Sequence, residues 1–128
     1  MKIYGIGNDI TSINRIKKSI KNKNFINRLF SKNEIIKCDK LLNRANCYAK
    51  RFAAKEAFSK AIGTGISKGI SFNEIIVYNI KSGKPYIKLL GKTKKVVIKN
   101  IKKKNLVSFY HYQMINNLLL LLLSSQYE

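Results

Sequence analysis

The sequence is short of acid. Only six of its 128 residues are Asp or Glu, against twenty-six Lys plus Arg, which leaves a formal charge of +20. An excess of that size attracts polyanions and speeds their encounter with the surface. Nucleic acid, anionic lipid, phosphorylated small molecules and acidic proteins all qualify as partners; cationic ones do not. Arginine is scarce as well, four residues against twenty-two lysines. That skew matches an AT-rich coding bias, so drift competes with selection as the source of part of the charge. Cysteine is limited to Cys38 and Cys47, nine apart, and His111 is the single histidine. This is neither a disulfide framework nor a zinc spacing, and reduced, inert thiols of a cytoplasmic protein are expected. Long apolar runs are missing too. The six-residue run 118–123 falls far short of the roughly twenty residues that span a bilayer and reads as a buried strand. No apolar stretch of leader length follows Met1-Lys2, so neither a membrane span nor a secretory leader is expected.

What remains is ample for a folded core. Hydrophobic residues make up 45% of the chain, which argues against disorder. One domain over residues 1–128 is expected, with no internal repeat and no linker. The stretch from Tyr48 to Gly65, YAKRFAAKEAFSKAIGTG, organises the rest. Its alanines favour helix and Gly63 supplies a left-handed stop. Phe52, Ala53, Ala57, Ala61 and Ile62 form a small apolar stripe at helical spacing, suited to close packing on a sheet.

Around it the patterns predict a strand at 2–6, ended by Gly5-Ile6-Gly7 with Asp9 behind it. This is no dinucleotide fingerprint, because Ile10 stands where a third glycine belongs. Helices follow on Ile13, Ile16 and Ile20, capped by Thr11 or Ser12, and on Phe25, Ile26, Leu29 and Phe30. A third opens with the capping box Ser31-Lys32-Asn33-Glu34 and runs through Leu42. Strands at 74–80 and 86–90 flank a Gly-Lys-Pro turn, a basic amphipathic helix carries Val96, Val97 and Ile101, and strands at 106–110 and 115–123 close the chain. The order predicts an α+β fold, a largely antiparallel sheet packed around the alanine-rich helix.

Two of the six acids stand out. Asp9 follows a glycine turn, and Glu56 borders the buried stripe of the central helix, four residues before Lys60. Two carboxylates from distant segments suit a hard divalent cation such as Mg2+, which keeps waters and completes its octahedron with phosphate oxygens. Plainer readings compete. Glu56 with Lys60 is also an i,i+4 surface bridge worth a few tenths of a kcal/mol, and Asp9 is also a helix cap or dipole partner.

The run RFAAKEAFSKAIGTGI resembles the signature of holo-[acyl-carrier-protein] synthase, the short single-domain branch of the 4′-phosphopantetheinyl transferases. Ile3-Tyr4-Gly5-Ile6-Gly7-Asn8-Asp9-Ile10 with Arg15-Ile16, residues 25–34, Gly69-Ile70-Ser71-Phe72 and Gly83-Lys84-Pro85-Tyr86 resemble its other blocks, in order. The resemblance implies Mg2+-dependent transfer of phosphopantetheine from coenzyme A to a serine of apo acyl carrier protein, in support of fatty acid biosynthesis. It also implies a homotrimer with active sites at the subunit interfaces. Carried over by motif, Asp9 and Glu56 hold the metal, and Lys60 adds positive charge at the transferred phosphate. A metal-polarised water then relays the serine's proton to Glu56 or Asp9, and both remain open. Gly63, Thr64 and Gly65, with Arg51, Lys84 and Pro85, fall at coenzyme-binding positions, although surface charge and turn chemistry explain Lys84 and Pro85 equally well. Arg15 and Arg28 match positions that face the acidic helix of the carrier protein. The carboxy-terminal block departs from the family pattern: His111 sits where many members have histidine, but among bulkier neighbours and ahead of six leucines. A site role for His111 competes with a structural one. Charge plus seven Tyr and six Phe leave a small basic nucleic-acid-binding domain as the rival, without a recognisable module to support it. A catalytically degenerate family member is the third possibility.

Overall fold

Helix α4, Arg44–Ile62, is the element the others rest on. Asn43 caps it by accepting from the Asn46 amide, and Gly63, at φ 72°, ends it in the left-handed conformation with its N–H on Lys60 O. The computed structural model describes residues 5–65, 69–103 and 123–127. Burial on α4 exceeds the expected stripe. Tyr48, Ala49, Ala53, Ala57, Phe58 and Ile62 are all buried, because β1, β4, α1, α3 and β2 cover the helix from several sides.

The first strand lies later than expected. Strand β1 is Asn8–Ser12, whereas residues 2–4 of the expected strand lie outside the described ones. Gly5 and Gly7 explain the shift. A Cβ at Gly5 would overlap the carbonyl oxygen of Ala61, and one at Gly7 would overlap that of Ala57. The Gly-x-Gly segment therefore runs backbone to backbone along one turn of α4, a close approach only glycine permits. Strand pairing begins after it: β1 pairs in parallel with β4, Leu123–Tyr127, with Asn8 opposite Leu123 and Ser12 opposite Tyr127.

Helix α1, Ile13–Ser19, is capped by Ser12 and buries Ile16. Helix α2, Lys23–Leu29, is capped by Asn22 and buries Ile26 and Leu29. Helix α3, Lys32–Asp39, opens on the expected Ser31/Glu34 capping box. It stops short of Leu41 and Leu42, which are exposed and give a further turn no apolar surface to bury. A short 3₁₀ turn, Phe72–Glu74, leads into the antiparallel hairpin of β2, Ile75–Asn79, and β3, Pro85–Leu89. Helix α5, Gly91–Lys103, buries Thr93, Val97 and Ile101 and exposes Lys92, Lys94, Lys95 and Lys99. The α+β class and the hairpin agree with the sequence reading; the parallel β1–β4 pair is an addition to it. The expected strand at 106–110 and all of that at 115–123 except Leu123, which opens β4, lie outside the described residues. No described helix is long and apolar enough to cross a membrane.

The cysteine expectation is overturned. Cys38 and Cys47 form a disulfide, with Cα atoms 5.5 Å apart. The tight turn between α3 and α4 folds the last turn of one helix onto the first turn of the other, which places the two residues at bridging distance. Spacing along the chain carries no sign of this.

One buried ion pair ties five elements together. The Lys55 ammonium donates to Glu34 Oε2 at 2.8 Å, to Leu29 O at 2.7 Å and to Phe72 O at 3.0 Å, which uses all three of its protons. Glu34 also accepts from Ser31 N and Oγ through Oε2 and from Val77 N through Oε1. Burial pushes the Lys55 amine down to about 8, while the charge and hydrogen bond of Glu34 oppose that shift.

Candidate active site

Structure sorts the acids by their duties. Glu34 is consumed by the buried pair. Asp39 accepts from the Tyr48 hydroxyl at 3.0 Å and pairs with Arg44 at 3.0 Å. Glu74 caps α5, accepting from the amides of Lys92 and Thr93, and those bonds to Thr93 hold its carboxyl below the usual range. Among the described residues this leaves Asp9 and Glu56, the two that the sequence singled out.

They share one patch. The glycine-lined approach of the chain to α4 carries Asp9 of β1 to the face of the helix that holds Glu56 and Lys60. Asp9 Oδ1 accepts from Lys60 Nζ at 2.8 Å, and Asp9 Oδ2 accepts from the Thr11 hydroxyl at 2.7 Å. Lys60 donates a second bond to Asn8 O at 3.0 Å. The expected Glu56–Lys60 bridge is therefore not the ion pair that forms; Lys60 crosses to an acid fifty-one residues away. Burial raises the Glu56 pKa first and the negative charge of Asp9 raises it next, while Lys60 and Arg15 pull it back. The Lys60 ammonium is itself raised, mainly by its hydrogen bond to Asp9.

The other expected site residues separate into groups. Arg15, exposed on α1, lies within electrostatic reach of Glu56. Gly63-Thr64-Gly65 leave the end of α4 one turn beyond Lys60, with both glycines at positive φ and open space where a Cβ would stand. The Thr64 hydroxyl in this loop is buried without a hydrogen-bond partner among the described residues. Arg28 is exposed in the last turn of α2. Lys84 and Pro85 sit exposed at the hairpin, the ammonium of Lys84 lying 5.6 Å from the centre of the Tyr86 ring. Arg51 is buried and turned elsewhere. Five positions from Glu56, it leaves α4 about 140° round the helix, and its Nη1 donates to Cys47 O at 3.2 Å and Cys47 Sγ at 2.9 Å. His111 lies outside the described residues.

Among the described residues, the aromatics that favoured nucleic acid are largely part of the core or packed against it. Phe30 packs edge-on against Tyr48, and Phe52 stacks on Phe25 and meets Phe72 edge-on. Of the exposed pairs, Tyr78 and Tyr86 stack on each other along the hairpin.

Residues 5–114 match the model of the 4′-phosphopantetheinyl transferase superfamily. The chain belongs to this superfamily. Among its curated members, the holo-[acyl-carrier-protein] synthase of Pelagibacter ubique is 54% identical over 102 residues, covering 80% of each chain. The synthase of Maricaulis maris is 51% identical over 92 residues, 70% of this chain and 65% of its own. Among solved structures, the synthase from Neisseria meningitidis superposes with a TM-score of 0.70 at 36% identity, over 81% of this chain and 82% of that one. The synthase from Bacillus anthracis, in complex with CoA (3′,5′-ADP), gives a TM-score of 0.64 at 43% identity, over 70% and 77%.

In this phosphopantetheinyl transferase chain, the sequence missed two residues that matter to the site. Thr11, fully buried, orients Asp9 through its hydroxyl. Its signal was there: a threonine two positions from an acid on a strand faces the same side. Lys55, immediately before Glu56, had no such signal. Only the fold shows that it points inward while its neighbour points to the edge.

Proposed function

We propose that this chain transfers the 4′-phosphopantetheine group of coenzyme A to a serine of apo acyl carrier protein, releasing adenosine 3′,5′-bisphosphate, as a holo-[acyl-carrier-protein] synthase. The observation that carries the reading is the meeting of Asp9, Glu56 and Lys60 at the edge of α4 in a member of this family. Two carboxylates, one disfavoured in its charged form by burial and then by the other, are a donor set that a hard cation relieves, and oxygen donors in this number suit Mg2+. Asp9 and Glu56 would hold it, and when bound it neutralises charge on the coenzyme pyrophosphate.

The chain's own groups do the rest. Thr11 fixes one Asp9 oxygen, leaving the other to Lys60. Lys60, half exposed and already bonded to Asp9, can turn its ammonium to the phosphoryl group that moves, where positive charge is worth most as negative charge develops. The Thr64 hydroxyl, without a partner among the described residues, and the glycines on either side of it offer a donor and open backbone to a phosphate. Either Glu56 or Asp9 accepts the serine proton. Arg15 and Arg28 present positive charge to the acidic carrier protein. Arg51, Lys84, Pro85 and His111 complete the coenzyme and site assignments by motif. Fatty acid biosynthesis, a cytoplasmic location and a homotrimer belong to the same reading.

The test is to incubate purified chain with coenzyme A, apo carrier protein and Mg2+, and to follow the mass of the carrier. A gain of one phosphopantetheine that vanishes with EDTA is expected. No gain with any divalent metal overturns the reading. Native mass measurement decides the trimer.

A further inference from the structure

Away from the acidic patch, the α3–α4 junction holds a second constellation. Cys38, in α3, is fully buried; Cys47, in the first turns of α4, retains slight exposure. Their sulfurs are bonded. One turn along α4, Arg51 aims its guanidinium at the same spot, its Nη1 donating to both the carbonyl and the sulfur of Cys47. The Nε of Arg51 is buried without an acceptor among the described residues. A disulfide sulfur is a weak acceptor for so strong a donor. A thiolate is a far better one, so this guanidinium favours Cys47 in its deprotonated, nucleophilic form. Cys38 has no hydrogen bond from a cationic side chain among the described residues. The two sulfurs are thus unequal in both access and activation.

We propose that Cys38 and Cys47 form a reversible thiol–disulfide site, with Cys47 as the attacking sulfur, Arg51 as its activating residue, Cys38 as the resolving sulfur and a small-molecule disulfide as the oxidant. In the reduced chain Cys47 loses its proton and attacks one sulfur of the small disulfide. The S–S bond of that molecule breaks, and its first thiolate leaves and takes up a proton. Cys38 then loses its proton and attacks Cys47 Sγ, expelling the second thiolate, which is protonated in turn. Two protein thiols are oxidised by two electrons, and one small disulfide is reduced to two thiols. Excess small thiol runs the sequence backward. Closing the bond fastens the end of α3 to the start of α4 and restricts the loop that carries Leu41, Leu42 and Asn43.

The test uses the full chain, reduced and then exposed to oxidised glutathione under native conditions. Intact mass should fall by two hydrogens, both thiols should escape alkylation, and the melting temperature should rise by roughly 5–10 °C, the scale for closing a short loop in a domain of this size. Cys38→Ser should trap glutathione on Cys47, whereas Cys47→Ser should trap it on Cys38 at least about tenfold more slowly. In the Cys38→Ser background, Arg51→Gln should slow trapping about tenfold, and Arg51→Lys should retain most of the rate. Two alkylatable thiols after oxidation overturn the proposal, and so does equal trapping on either cysteine. An unchanged rate in Arg51→Gln removes Arg51 as the activator. Should that variant not fold, as judged by circular dichroism, the comparison of the two cysteine variants decides alone.

Discussion

Helix α4 carries two lysine–carboxylate pairs of the same 2.8 Å length that do opposite jobs. Lys55 meets Glu34 in a setting where both side chains are closed to solvent, 0% and 2% exposed. Lys60, five residues on, meets Asp9 at the surface, with 52% and 14% exposed. The inner pair has every ammonium proton placed on protein oxygen and a carboxylate bonded on both sides. It joins α2, α3, α4, the 3₁₀ turn and β2. The outer pair is held by fewer bonds and faces water, so its partners can be exchanged for a metal or a phosphate. Burial, not bond length, separates a fastening from a site.

Removing half of the inner pair gives the largest expected effect. Glu34→Ala strands a buried ammonium and should cost about 3–5 kcal/mol, read as a lowered midpoint in urea denaturation. Lys60→Met should leave that midpoint unmoved. If Glu34→Ala is as harmless as Lys60→Met, the contrast between the two pairs fails.

The outer pair should break in the other direction. Asp9→Asn and Glu56→Gln should each cut carrier modification by about two to three orders of magnitude, the scale for losing one charge-stabilising group, with circular dichroism unchanged. Thr11→Val, which removes only the bond to Asp9 Oδ2, should cause a smaller loss that Thr11→Ser restores. Full activity in either acid variant would remove that residue from the site.

How much of this could be read from the sequence follows the same division. The edge of α4 was legible, because Asp9, Glu56, Lys60 and the Gly63–Gly65 stop sit in short motifs whose spacing is local. Caps were legible too, at Ser12 and at Ser31 with Glu34, since a cap is written within four residues. The inner pair was not. Lys55 and Glu34 lie twenty-one residues apart, and on a chain with twenty-two lysines nothing marks one of them as buried. The Cys38–Cys47 bond and the parallel β1–β4 pairing were hidden for the same reason, as contacts made by the fold between segments that look unremarkable alone. Gly5 and Gly7 mark the boundary. Their presence was plain, but their role as the contact with Ala57 and Ala61 depends on where the segment lands.

Adding metal sharpens the comparison through pH. The Glu56 carboxyl is raised, by burial and then by Asp9. Below the ordinary carboxylate pKa, folded and unfolded chains both keep the proton. Above it the unfolded chain releases the proton first, so the stability of the metal-free fold declines until pH passes the raised folded value. Binding of Mg2+ needs the ionised form and offsets that decline. The rise in melting temperature with millimolar Mg2+ should therefore be larger at about pH 7.5 than at about pH 5, and should be lost in Glu56→Gln. The inner pair, sealed from solvent, should not respond: Lys55→Met should melt lower yet keep the Mg2+ shift. An equal shift at both pH values would separate Glu56 from the metal.

The smallest effect is expected at an exposed arginine that belongs to neither pair. Arg28 stands exposed in the last turn of α2, on a surface already dense with lysine, and makes no ion pair among the described residues. Its loss should not disturb folding or the chemistry at Asp9 and Glu56. Its role would be to steer and hold an acidic partner, a long-range interaction that salt screens over about 10 Å at 0.1 M. Arg28→Glu should raise KM for the carrier protein by roughly three- to tenfold at low salt and leave kcat within error, and the difference from the parent should shrink as salt rises. Arg15→Glu should act on both constants, because Arg15 also lies in the field of Glu56. A KM for Arg28→Glu that matches the parent at low salt would assign carrier recognition to the lysines instead, making the docking surface diffuse and the overall charge, not this arginine, its basis.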